Sequence, residues 1–137
     1  MDLETRQTLI EKMYEVIKEE ALPVPSRILI RQPTRGGSHS SGRCLRSLEK
    51  NDFKISVTVT KPEYIRAIDG RFFDRRDKTI RYKFMGWHDV SRERVIEVAA
   101  HEIAHLKFWS HDAQHVSYMN HLIKILTVKL EGWNIEQ

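Results

Sequence analysis

The sequence predicts an α+β domain in which a small antiparallel sheet packs against an N-terminal helix, a second helix near residue 100 and a C-terminal helix. Three observations predict it. Leu3, Ile10, Met13, Tyr14 and Ile17 recur at helical spacing across residues 2–20, with Glu and Lys between them. Residues 53–60 alternate with period two, placing Phe53, Ile55, Val57 and Val59 on one face and Lys54, Ser56, Thr58 and Thr60 on the other. Residues 91–109 and 112–131 are long stretches free of proline. At 137 residues, 1–137 fit one domain around one core.

The elements follow in order. Pro23 and Pro25 stop the first helix, and Ser26–Arg31 is a short apolar strand. Pro33–Arg43 is a flexible, basic loop. Pro62–Asp69 suits a short helical turn as well as a strand. Arg71–Phe73 and Lys78–Phe84 form a hairpin around Asp74-Arg75-Arg76-Asp77, with Ile80, Tyr82 and Phe84 alternating with Arg81 and Lys83. Gly86-Trp87-His88-Asp89 is a loop, after which Ser91 caps the next helix. The final helix runs from Asp112 to Glu131 and buries Val116, Met119, Leu122, Ile123, Leu126 and Leu130; Gly132 ends it.

Composition narrows the function. With 40% hydrophobic and 31% charged residues, the chain is an ordinary soluble globule. No stretch approaches the roughly 20 apolar residues of a membrane span, so no membrane partner is expected. Met1–Glu20 has no signal-peptide core. The single cysteine, Cys44, excludes an internal disulfide and suits a reducing compartment; the expected location is cytoplasmic. The formal charge is +4. Basic residues cluster at Arg27, Arg31, Arg35, Arg43, Arg46 and Lys50, and again at Arg71, Arg75, Arg76, Lys78, Arg81 and Lys83. The second cluster, interleaved with Phe72, Phe73 and Tyr82, suits a nucleic-acid backbone and stacked bases. It equally suits a solvated sheet face whose turn Asp74 and Asp77 neutralise.

The chemistry lies in His101-Glu102-Ile103-Ala104-His105 and in His111. On a helix, His101 and His105 point from one face and can hold one zinc ion (Zn2+). Glu102 sits beside them as the general base for a zinc-bound water. His111 offers a third ligand from just beyond the helix, leaving the fourth position open, as a catalytic site requires. His115 is the alternative third ligand. It and Tyr118 are also candidate donors that orient a ligand or hold the oxyanion of a tetrahedral intermediate. Glu97 reads as a solvated helix carboxylate, Asp112 as a helix cap, Lys107 as an outward charge, and His121 as a surface residue. Cys44 reads as a small buried hydrophobe at a strand entrance, with a latent zinc cap as its second reading. Trp87 and Trp109 flank the metal helix and could line a substrate cleft.

The segment His-Glu-Ile-Ala-His-Leu-Lys-Phe-Trp-Ser-His-Asp, residues 101–112, resembles the active-site segment of the SprT-like and WLM (YgjP-like) metallopeptidases. The resemblance spans roughly residues 42–130 and is strong at 101–112. An aromatic residue is common four positions after the third histidine of the family; here that position is His115. The resemblance implies a zincin-like fold and a zinc endopeptidase, with Glu102 catalytic, His101, His105 and His111 as ligands, and a protein or peptide as substrate. For the SprT-like branch it implies cleavage of proteins bound or crosslinked to DNA. Two other readings stand beside it. One is a non-enzymatic nucleic-acid-binding or regulatory module with a structural or degenerate zinc site. The other is a repressor-cutting protease whose third ligand is a distant acidic residue.

Overall fold

Helix α1 spans Leu3–Glu19 in the computed structural model, which describes residues 2–31, 40–66, 73–74, 79–80 and 82–135. Asp2 caps α1 by accepting the Thr5 N–H at 2.7 Å. Its buried row is Thr5, Leu9, Met13, Val16 and Ile17. The expected stripe is therefore displaced: Leu3 is 73% exposed, and Ile10 and Tyr14 only flank the core. Leu9 and Val16 continue the row through Met13 at spacings of four and three, which is straighter than the row through Leu3 and Ile10. The helix ends with Leu22 N–H bonded to the Ile17 carbonyl and Ala21 N–H to that of Lys18, at 3.0 and 3.1 Å. This is a Schellman closure with Ala21, at φ +52°, in the left-handed position that glycine usually fills.

The main sheet has three strands, β1 (Arg27–Arg31), β2 (Gly42–Ser47) and β3 (Asp52–Thr58), in the order β1-β3-β2. β2 runs antiparallel to β3 but β1 runs parallel to it, so the sheet is mixed rather than antiparallel as expected. Alternation reports which face is buried and is blind to strand direction. The Asp52 carboxylate pins the two parallel strand starts together, accepting the Ser26 N–H at 3.2 Å and its hydroxyl at 2.6 Å. β2 itself replaces the end of the expected basic loop. Ile28, Ile30, Ile55 and Val57 face the helices and are buried.

A second pairing joins β4 (Thr60–Arg66) to β7 (Tyr82–Asp89), and β5 (Phe73–Asp74) pairs with β6 (Thr79–Ile80). The ambiguous segment after Pro62 is thus a strand. The second arm of the expected hairpin is divided: β6 pairs with β5, whereas residues from Tyr82 onward pair with β4. The expected loop Gly86-Trp87-His88-Asp89 belongs to β7. Gly86, at φ +111°, sits where the register shifts, since Glu63 faces Gly86 but Tyr64 faces Phe84. A positive-φ glycine at such a bulge supplies the turn signal that suggested a loop.

Helix α2 (Arg92–Ala104) packs on β2 and β3 of the sheet, helix α3 (Ala113–Lys129) packs along it, and α1 packs on β1 and α3. Ser91 caps α2 and Asp112 caps α3, as expected; their side chains accept N–H groups of Arg94 and His115. Ala99, Ala100 and Ala104 are fully buried, which lets neighbouring backbones approach α2 closely. In α3, Leu122 and Leu126 are buried as expected, whereas Val116 is 48% exposed and His115 takes the inward place. The Arg92 guanidinium reaches the carbonyls of Trp133 and Leu130 at 3.0 and 2.8 Å, tying the start of α2 to the end of α3. Among the described residues, no helix is long and apolar enough to cross a membrane.

Candidate metal centre

α2 ends at Ala104, sooner than its proline-free sequence suggests, and tightens as it ends. His105 N–H bonds to the Glu102 carbonyl at 3.2 Å and Leu106 N–H to that of Ile103 at 2.9 Å, both three residues back. The chain then turns through Ser110, whose carbonyl accepts the Asp112 N–H at 3.0 Å. This reversal carries His111 back over the end of α2. His111 Nε2 lies 3.1 Å from His101 Nε2, which lies 3.3 Å from His105 Nε2. A metal bound tetrahedrally at 2.0–2.1 Å spaces its nitrogen ligands about 3.3–3.4 Å apart. The nitrogens of His111 and His105 thus both lie close to the separation from His101 that such an ion requires. With His115 the three residues form a group of four histidines whose ligand atoms lie within 4.8 Å of one another.

The electrostatics keep the His101 and His105 rings neutral. Burial, reinforced by the neighbouring histidines, lowers His101 to about 4. Burial likewise lowers His105. A neutral imidazole has a lone pair to offer a metal, and an imidazolium has none. His105 Nδ1–H donates to the Phe108 carbonyl at 3.3 Å, which leaves its Nε2 lone pair facing the other rings.

The three rings open onto a cavity of about 590 Å³ lined by Gly42, Arg43, Cys44, His101, Glu102, His105, Trp109, Ser110 and His111. Glu102 is 6% exposed, and one carboxylate oxygen lies 3.8 Å from His101 Nε2. Burial raises its carboxyl to about 7. Burial, then the nearby Glu102, raises the Cys44 thiol to about 12. Arg46 lies over the ring of Trp109, 4.4 Å from its centre. The cavity also depends on Gly42: a Cβ there would stand 2.5 Å from Val98 Cγ1 and 3.1 Å from Glu102 Cγ. Only a residue without a side chain lets β2 lie this close to the general-base candidate. The sequence shows only a glycine at that position, and its role appears once β2 is paired with β3.

Of the residues singled out, His101, Glu102, His105 and His111 come together in this cavity. His115 is 1% exposed and packs behind them. Tyr118 does not line the cavity. Its hydroxyl donates instead to Glu20 at 3.1 Å. Glu97 pairs with Arg94 on the helix surface, and Lys107 is exposed with its ammonium over the Tyr118 ring. Arg71, Arg75, Arg76, Lys78 and Arg81 lie outside the described residues, and Lys83 is a residue of β7. No family model matches the chain, nor does any curated protein or solved structure.

Proposed function

We propose that this protein is a zinc-dependent endopeptidase of the zincin type, as the resemblance to SprT-like and WLM metallopeptidases implies. One observation carries the proposal: the imidazoles of His101, His105 and His111 converge, with His101 Nε2 at metal-ligand spacing from the other two, beside a buried carboxylate in an open cavity. His101, His105 and His111 would hold the ion. Zinc, when bound, supplies Lewis-acid polarisation of water and of a peptide carbonyl. Glu102 takes the proton of the attacking water and returns it to the leaving amine, a role favoured in a carboxyl that titrates near neutral pH. β2 is an edge strand of its sheet, and its Gly42, Arg43 and Cys44 line the cavity. An extended polypeptide can pair with that edge through main-chain bonds, so recognition is tolerant of sequence. The test is zinc per chain, by elemental mass spectrometry, together with proteolysis. Wild type carries near-stoichiometric zinc, His111→Ala loses it, and Glu102→Gln keeps it while losing peptide hydrolysis. Hydrolysis that survives Glu102→Gln would overturn the mechanism.

A second reading, a nucleic-acid-binding module, rests on the outer sheet face. Arg27, Arg31, Arg43 and Lys54 surround a depression there with Leu29 and Leu45, and no ion pair joins them to an acid among the described residues. The same face suits the finer proposal that the substrates are proteins on DNA. Binding of a labelled single strand that weakens steeply with salt, and weakens further in Arg43→Ala, supports a nucleic-acid role. Zinc-free wild-type protein that still binds DNA would favour the module over the enzyme.

A further inference from the structure

His115 is the part of the cluster that the three-ligand proposal leaves unused. It stands in the first turn of α3, where Asp112 accepts its backbone N–H at 3.0 Å. Its ring is packed against those of His101 and His105, with centroids 4.7 and 4.3 Å away. It does not line the cavity. Its Nε2 lies 3.1 Å from the backbone carbonyl oxygen of His101. That carbonyl is one of the last four of α2, which a helix end leaves without an internal partner. In a continuing α-helix the His105 N–H would bond it, but here that N–H turns to Glu102 instead. A carbonyl taken from water without a donor is destabilising. The ring N–H of His115 is the donor that satisfies it.

We propose that His115 is a positioning residue for the metal centre: by holding the His101 carbonyl it locks the end of α2 to the start of α3. This inference rests on the metal-centre proposal above. The lock matters because the loop between those helix ends carries His111. Asp112 fixes the first turn of α3, His115 reaches from that turn to His101, and His105 is fixed by Phe108. The three candidate ligands therefore keep their relative positions through two imidazole–carbonyl bonds and one helix cap. His115 acts through His101 and need not touch the ion.

The test measures zinc affinity of the full chain by competition with a chromophoric chelator, in wild type, His115→Phe and His115→Gln. Phenylalanine fills the ring's space without a donor, and the glutamine amide can reach the same carbonyl. Phe is expected to weaken zinc binding about 10–100-fold, as loss of an outer partner of a metal ligand does. Gln is expected to recover most of the loss and to leave the cobalt-substituted absorption bands as in wild type. Wild-type affinity in the Phe variant would reduce His115 to packing and overturn the proposal. Gln as weak as Phe, with altered cobalt bands, would make the imidazole itself a ligand and overturn it too. If the Phe variant does not fold, the Gln affinity and cobalt spectrum decide alone. Absence of zinc from wild type would instead sink the metal-centre reading beneath it.

Discussion

Replacing Glu102 with glutamine should stabilise the metal-free protein, and the gain should depend on pH. Glu102 has a carboxyl raised to about 7 in the fold, against 4.5 as the ordinary value. Folding with that group ionised therefore costs about 3 kcal/mol. The sign follows from proton uptake. Between pH 4.5 and 7 the folded chain holds a proton here that the unfolded chain has lost, so stability falls as pH rises through this window. Below it the carboxyl is neutral in both states and the cost vanishes. Glutamine is neutral at every pH and carries no such cost. The Glu102→Gln chain should thus exceed wild type by about 3 kcal/mol at pH 8 and by almost nothing at pH 4.5. For a chain of this length that is roughly 10 °C in Tm.

The assay is thermal unfolding of both chains in chelator, followed by far-ultraviolet circular dichroism from pH 4.5 to 8.5. Taking the difference matters because His101, lowered to about 4, works in the opposite direction. Its contribution is present above pH 6.5 and is lost as pH falls toward 4, and it is common to both chains. Saturating zinc should narrow the gap at pH 8, since a nearby dication offsets the cost of the carboxylate. A gap that does not change with pH, or a wild type that is the more stable at pH 8, would refute the burial argument for Glu102.

Three further outcomes follow from the geometry. Gly42→Ala places a Cβ 2.5 Å from Val98 Cγ1 and should destabilise the fold by about 1–3 kcal/mol in urea titrations. Val98→Ala in the same chain should restore part of that loss, and a simple sum of the two single effects would argue against the contact. Ala21→Gly should raise stability by about 0.5–1 kcal/mol, because it relieves a left-handed alanine at φ +52° at the end of α1; a lower Tm would contradict this. Cys44, with a thiol pushed up to about 12, should react with iodoacetamide at pH 8 roughly a hundredfold more slowly than a free thiol, and at the ordinary rate once unfolded. Equal rates before and after unfolding would show an accessible thiol.

The helices and the candidate ligands were legible because their signals are local. Ser91 and Asp112 announce helix starts through a side-chain oxygen three residues ahead of an N–H. His101 and His105 share a face by helical geometry alone, and His111 had only a short loop to travel. What was not legible depends on partners distant in the chain. The parallel pairing of β1 with β3 requires residues 27 and 54 to meet, and alternation carries no such information. β2 shows little apolar periodicity because, as an edge strand, it leaves most of its side chains exposed. The four-residue spacing of His111 and His115 suggests His115 as an alternative third ligand. Its tie to the His101 carbonyl could be found only once α2 was seen to end early.

The opposite shifts at Glu102 and His101 have a common meaning. A buried carboxyl raised to about 7 and a histidine lowered to about 4 both say that the cavity wall opposes charge of either sign. Had the two formed an ion pair, the shifts would run the other way, carboxyl down and imidazole up. The 3.8 Å between them, with Glu102 raised by burial alone, fits an unpaired arrangement. Such a wall leaves imidazole lone pairs exposed and a carboxylate without a counter-ion, both of which a divalent cation satisfies at once. On the proposed function, affinity for a metal and readiness of Glu102 to exchange a proton near neutral pH would have one physical source, the close packing of α2 against β2 that Gly42 permits.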